Sequence, residues 1–268
     1  MNQTQTCPPT APGITPMRWG LWPPIVLMLL YLSIQVKIGV AAIVGVTAWR
    51  IATGRVALAP DALLEQTAGM QGLITGPAFQ WLALIALLVA GVLTLLTAWL
   101  WLRCDQRGPR VLLGLTRPVR LPLVAVPLLT LLMLVSTSFV TYWLFGPVSV
   151  EAQELLFQEP LLGLAATITL TTVVPLVEET LFRGVLYASL LERGGHALAI
   201  VVTAVTFAAI HLLAGASAVG PIVQLLLLAL YLGGLRAFTG SLWAPLAAHA
   251  TWNLVASLVY LIGTPTTP

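Results

Sequence analysis

Seven apolar stretches, each near the twenty or so residues needed to cross a bilayer as a helix, follow one another along this chain. They run approximately Ile25–Ala48, Ala78–Leu102, Leu121–Phe145, Leu161–Leu191, Ala197–Leu213, Val219–Leu235 and Leu242–Ile262. Hydrocarbon cannot satisfy backbone N–H and C=O groups, so such spans must be helices. The chain is therefore expected to be all-α: a polytopic integral membrane bundle of about seven transmembrane helices. Composition agrees, with 59% hydrophobic and only 8% charged residues against roughly 25% charged in soluble domains. Trp22, Trp49, Trp81, Trp101, Trp143 and Trp243 flank the spans, as an interfacial aromatic belt requires.

The polar segments set the expected orientation. The loop Arg103–Arg120 carries Arg103, Arg107, Arg110, Arg117 and Arg120 against a single aspartate. The positive-inside rule puts it in the cytoplasm, and with it Arg18, Arg193 and Arg236. The loop with Glu151, Glu154 and Glu159 then lies outside, and the N-terminus inside. Arg50 and Arg55 fall outside on this count, and a re-entrant segment between Arg50 and Pro77 would relieve that conflict. Lys37 interrupts the first span and reads as snorkelling or facing a helix interface. Residues 1–20 read as a disordered tail without a signal peptide, 21–160 as N-terminal transmembrane helices and 161–264 as the core that carries the chemistry. Cys7 and Cys104 imply neither a disulfide framework nor a metal motif. No organelle signal is present, so a bacterial cell membrane is expected. The bilayer is the first partner, and no nucleic acid is expected.

Against this background Glu178, Glu179 and Arg183 stand out. Leu161 to Val177 carries no charge, and carboxylates within a membrane span are rare and by default functional. Glu179 and Arg183 are an i,i+4 pair on one helical face. Glu178 is turned about 100° away. The economical reading makes Glu179–Arg183 a buried ion pair and leaves Glu178 for chemistry. The plainer one has both glutamates neutralising Arg183. Phe207 and His211 share a face of the next span. Gly194-Gly195 marks the turn between these helices, and Glu178 and His211 each lie roughly 24 Å from it along their helices. A hairpin would bring them to similar depth. His249 and Asn253 are one turn apart on the last span, and Pro175 should kink the helix just before the glutamates. A glutamate and a histidine could hold and deprotonate water, while a histidine and an asparagine could bind the oxygen of a tetrahedral intermediate.

The strings Glu178-Glu179-Thr-Leu-Phe-Arg183-Gly184, Phe207-x-x-x-His211 and Ala248-His249-Ala-Thr-Trp-Asn253, in this order on successive spans, resemble the three motifs of the CAAX protease and bacteriocin-processing family of intramembrane glutamic endopeptidases. That family groups eukaryotic prenyl-protein endopeptidases with many bacterial membrane proteins. The resemblance covers roughly Leu161 to Leu261. It implies a membrane peptidase acting on a peptide or protein substrate without a cofactor or metal. Glu178 would be the catalytic glutamate, His211 its assistant, His249 and Asn253 the oxyanion pair, and Glu179 and Arg183 the pair that shapes the site, with Phe207 packing beside His211.

Three other readings use the same residues. A zinc hydrolase would take Glu178, His211 and His249 as ligands. A bacteriocin-immunity or partner-binding protein would keep the cluster for packing. A transporter would use a buried glutamate as proton carrier, yet inverted repeats and paired broken helices are lacking. The long fourth span, roughly 46 Å as a straight helix, is expected to project into the cytoplasm, with a cavity opening on that side.

Overall fold

The computed structural model describes residues 22–53, 76–104, 108–116, 124–146, 155–157, 159–213 and 219–263. The expected N-terminal tail with Cys7, the segment suggested as re-entrant, and Glu151 and Glu154 lie outside these residues. Among the described residues every regular element is helical. The elements are α1 (Trp22–Ala52), α2 (Pro77–Leu102), the short α3 (Gly108–Leu112), α4 (Ala125–Phe145), a 3-10 turn (Leu155–Phe157), α5 (Pro160–Glu179), a π-helical turn (Thr180–Leu186), α6 (Tyr187–Leu213), α7 (Val219–Thr239) and α8 (Trp243–Gly263). Among these residues six stretches are long and apolar enough to cross a membrane, and α1 adds a further long apolar helix. The protein is an all-α polytopic membrane bundle.

Its exterior is apolar, as lipid demands. Leu128, Leu132, Val135, Phe139 and Trp143 repeat at helical spacing along α4, and all are exposed. The interior is largely hydrophobic, yet among the described residues Arg183 and Arg236 are the two largest fully buried side chains. Buried threonines satisfy their hydroxyls by folding back: Thr130, Thr141, Thr167 and Thr203 each donate to the carbonyl four residues earlier at 2.8 Å.

A glycine lets α2 and α5 pack closely. A Cβ on Gly91 of α2 would lie 3.1 Å from Val177 and 3.2 Å from Val173. That close approach seats the α5 turn that carries the glutamates. Pro160 starts α5 at a position where its missing N–H is harmless. The helical run from Pro160 to Leu191 is 32 residues long. It turns back at Gly194 (φ −150, ψ 18) and Gly195 (φ 70, ψ −168), inside α6. Gly195 has the left-handed φ that favours glycine. The expected hairpin is therefore present, with its turn at the expected glycines. The second half of α6 packs on α7, and α8 packs on α5, α4 and α7.

Candidate active site

Three helices supply the polar cluster. Glu179, at the end of α5, is fully buried, and its Oε1 accepts from Arg183 Nη1 at 2.9 Å. The pair expected from i,i+4 spacing is formed, but across a π-helical turn. Such turns are rare and often occur at functional sites. Arg183 Nη2 also donates to Ala229 O of α7 at 3.1 Å.

His249 enters from α8 and is 2% exposed. Its Nδ1 lies 2.8 Å from the same Glu179 oxygen. A carboxylate accepts only, so Nδ1–H is the donor. The other ring nitrogen, Nε2, lies 3.6 Å from Glu178 Oε2. One small oxygen atom can sit within hydrogen-bonding reach of both. Glu178 is turned away from the ion pair, and its side chain keeps 13% exposure.

His211 is fixed from its own helix. Its Nδ1 is 2.9 Å from Phe207 O, and a carbonyl likewise only accepts, so Nδ1–H is the donor and Nε2 is the ring nitrogen left for the cavity. Phe207, fully buried, is the wedge of the site. Its ring lies 4.4 Å from the His211 ring and 5.9 Å from that of His249, and the Arg183 guanidinium is 5.0 Å from its centroid. Asn253 Nδ2 donates to Leu170 O at 2.8 Å. Pro175 lacks an N–H and removes the helical partner of Thr171 O, so Asn253 fastens α8 to the turn that the proline loosens.

Glu178, His211, His249 and Asn253 all line one cavity of roughly 430 Å³, a size within the ~300–1,000 Å³ of ligand pockets. The depth match of Glu178 and His211 is thus realised as a shared wall. The cavity's direction differs from the expectation. Its lining runs from the glutamates to Phe157, Pro221 and Tyr260, at the end of the bundle away from Gly194-Gly195. The other end is packed. There Leu112 and Leu113 are buried, Gly184 sits against Leu113, and Trp243 Nε1 donates to Leu115 O at 3.0 Å.

Arg236 also departs from the sequence reading. Counted as a cytoplasmic charge, it is fully buried. Its Nε donates to Arg183 O at 3.0 Å, and its Nη1 to Gly240 O. α7 thus holds the π turn twice, through Ala229 O to the Arg183 side chain and through Arg236 to its main chain. The signal available was Gly240, four residues on, because an arginine in the last helical turn can reach forward to a carbonyl at the helix end. Lys37 is exposed on α1. The zinc reading needs three converging ligands, and among the described residues no group of three His, Cys, Asp or Glu side chains could hold a metal ion.

Fold and site together define a polytopic integral membrane protein with a buried Glu/His/Arg network at the wall of a cavity. Residues 160–255 match the family model described as type II CAAX prenyl endopeptidase Rce1-like. That stretch, about a third of the chain, begins at the first residue of α5 and takes in Glu178, Glu179, Arg183, His211, His249 and Asn253; over it the chain is similar to that family. No curated protein and no solved structure matches the chain.

Proposed function

We propose that the protein is an intramembrane endopeptidase, CAAX-protease-like and similar in its core to CAAX prenyl protease 2, that hydrolyses a peptide bond with water activated by Glu178. The observation that carries this reading is the 3.6 Å approach of Glu178 Oε2 to His249 Nε2 on the wall of the shared cavity. Glu178 accepts a proton from water as the water oxygen attacks the scissile carbonyl carbon. His211, through Nε2, orients that water. The carbonyl oxygen becomes an oxyanion, stabilised by His249 Nε2–H and the second amide N–H of Asn253. Collapse breaks the C–N bond. The proton held by Glu178 passes to the leaving amine, giving a carboxylic acid and an amine.

To donate toward the oxyanion His249 must carry a proton on each ring nitrogen, because its Nδ1–H is already committed to Glu179 and Nε2 needs a proton of its own.

In this reading the protein resides in a bacterial cell membrane with its N-terminus in the cytoplasm, and its substrate is a peptide or protein segment at the bilayer. Comparison of membrane-associated peptides from cells carrying the wild-type protein or Glu178→Gln at equal abundance tests it. A product present only with the wild-type protein is expected. Identical peptides, together with normal cellular function, would instead favour a non-catalytic immunity or partner-binding role.

A further inference from the structure

Helices α4 and α7 meet through two polar rungs. In one, Thr130 Oγ1 lies 3.2 Å from Tyr231 OH, and Thr130 is fully buried. In the other, Gln224 Nε2 donates to Ser138 Oγ at 2.7 Å. Ser138 is eight residues beyond Thr130, and Gln224 seven before Tyr231, so the rungs stand about two helical turns apart. They differ in what surrounds them. Neither Thr130 nor Tyr231 lines the cavity, whereas Ser138 and Gln224 both do, together with Glu178, His211, His249 and Asn253.

The Tyr231 rung already ties the two helices together. A second tie at the cavity wall is unneeded for packing, and Gln224 is the one polar side chain between Pro221 and Ala229. Its carboxamide also exceeds the task. It has two N–H donors and an acceptor oxygen, and Ser138 engages one N–H. A donor and an acceptor remain side by side, matching the C=O and N–H of a peptide backbone. The neighbouring wall is apolar, formed by Leu134, Leu225 and Leu228. An amide group in such surroundings is costly unless a partner satisfies it.

We propose that Gln224, held in place by Ser138, binds the backbone N–H and C=O of one residue of an extended, apolar peptide substrate and so fixes which bond is presented to Glu178. The proposal rests on the endopeptidase reading and adds the group that sets the register of cleavage. Gln224 Oε1 accepts from a substrate N–H, and its free N–H donates to a substrate carbonyl.

A double-mutant cycle between protein and peptide tests this. The probe is an internally quenched apolar peptide cleaved by the wild-type protein in liposomes, resynthesised with one backbone nitrogen N-methylated at a time. At one position, N-methylation is expected to raise KM about tenfold with little change in kcat, the worth of one hydrogen bond of about 1.4 kcal/mol. In Gln224→Leu, KM of the unmodified peptide rises about tenfold, and methylation at that position adds less than twofold. Ser138→Ala, which frees the carboxamide to rotate, raises KM by a smaller factor. Thr130→Val removes the other rung and leaves both constants unchanged. The proposal is overturned if no position loses its methylation penalty in Gln224→Leu, or if Thr130→Val raises KM equally. A peptide cut equally by Glu178→Gln, or no cleavage by the wild-type protein, would sink the endopeptidase reading and the proposal with it.

Discussion

Replacing Arg183 by methionine removes the cation from a pair in which both side chains are fully buried and 2.9 Å apart. Glu179 keeps only the His249 contact at 2.8 Å on Oε1, while its Oε2 has no hydrogen-bond partner among the described residues. Two magnitudes compete. Hydrogen bonds between helices in a membrane average ~0.6 kcal/mol and reach ~1.7. Removing one partner of a buried ion pair costs about 3–5 kcal/mol, because the remaining charge stays uncompensated. The geometry assigns Arg183 to the second case. At about 2–4 °C per kcal/mol for a chain of this size, the unfolding midpoint should fall by about 6–20 °C. The nine tryptophans provide the signal for thermal unfolding in detergent. Glu179→Gln combined with Arg183→Met removes both charges and should recover most of the loss. A fall below about 4 °C, or a double variant no more stable than Arg183→Met, would refute the ion-pair account.

Gly114→Ala should destabilise the protein by about 3 kcal/mol, from a left-handed φ together with overpacking. Its φ is +70, and the added Cβ would run into Arg236 Nη1 and lie 2.6 Å from Gly240 O; an unchanged midpoint would contradict this. Pro175→Ala restores an N–H to Thr171 O and tightens this turn of α5, shifting Leu170 O relative to Asn253. Turnover should fall about tenfold to a hundredfold without loss of stability, since misplacement by an ångström has that effect. Unaltered kinetics would show that the proline does not position Asn253. Chelator treatment should leave cleavage intact in protein found metal-free by elemental analysis. Activity lost on chelation and restored by zinc would revive the metal reading.

The parts of the site legible in the sequence are those set within one helix or one hairpin. The Glu179–Arg183 pair follows from four-residue spacing. The common wall of Glu178 and His211 follows from equal distances to Gly194-Gly195. What stayed hidden depends on how separate helices rotate and how deeply they sit. Periodicity puts His249 and Asn253 on one face of α8. It does not say that His249 Nδ1 turns to Glu179, or that one Asn253 N–H goes to the carbonyl of Leu170. The positive-inside count registers Arg236 as a charge near a helix end and is blind to its burial. Nothing in the string Thr180 to Leu186 distinguishes a π turn from an α turn. The cavity's direction was misjudged for a related reason: the packing of Leu112 and Leu113 against α5–α6 joins residues distant in sequence.

The central claim is that Glu178 and Glu179, neighbours in sequence, have different tasks. Steady-state cleavage of a quenched apolar peptide by purified Glu178→Gln in liposomes tests it most directly. Removing a group that exchanges a proton with the attacking water should lower kcat by about 10²–10⁴-fold, with KM and the unfolding midpoint close to wild type. A kcat within a few-fold of wild type would contradict the assignment of water activation to Glu178.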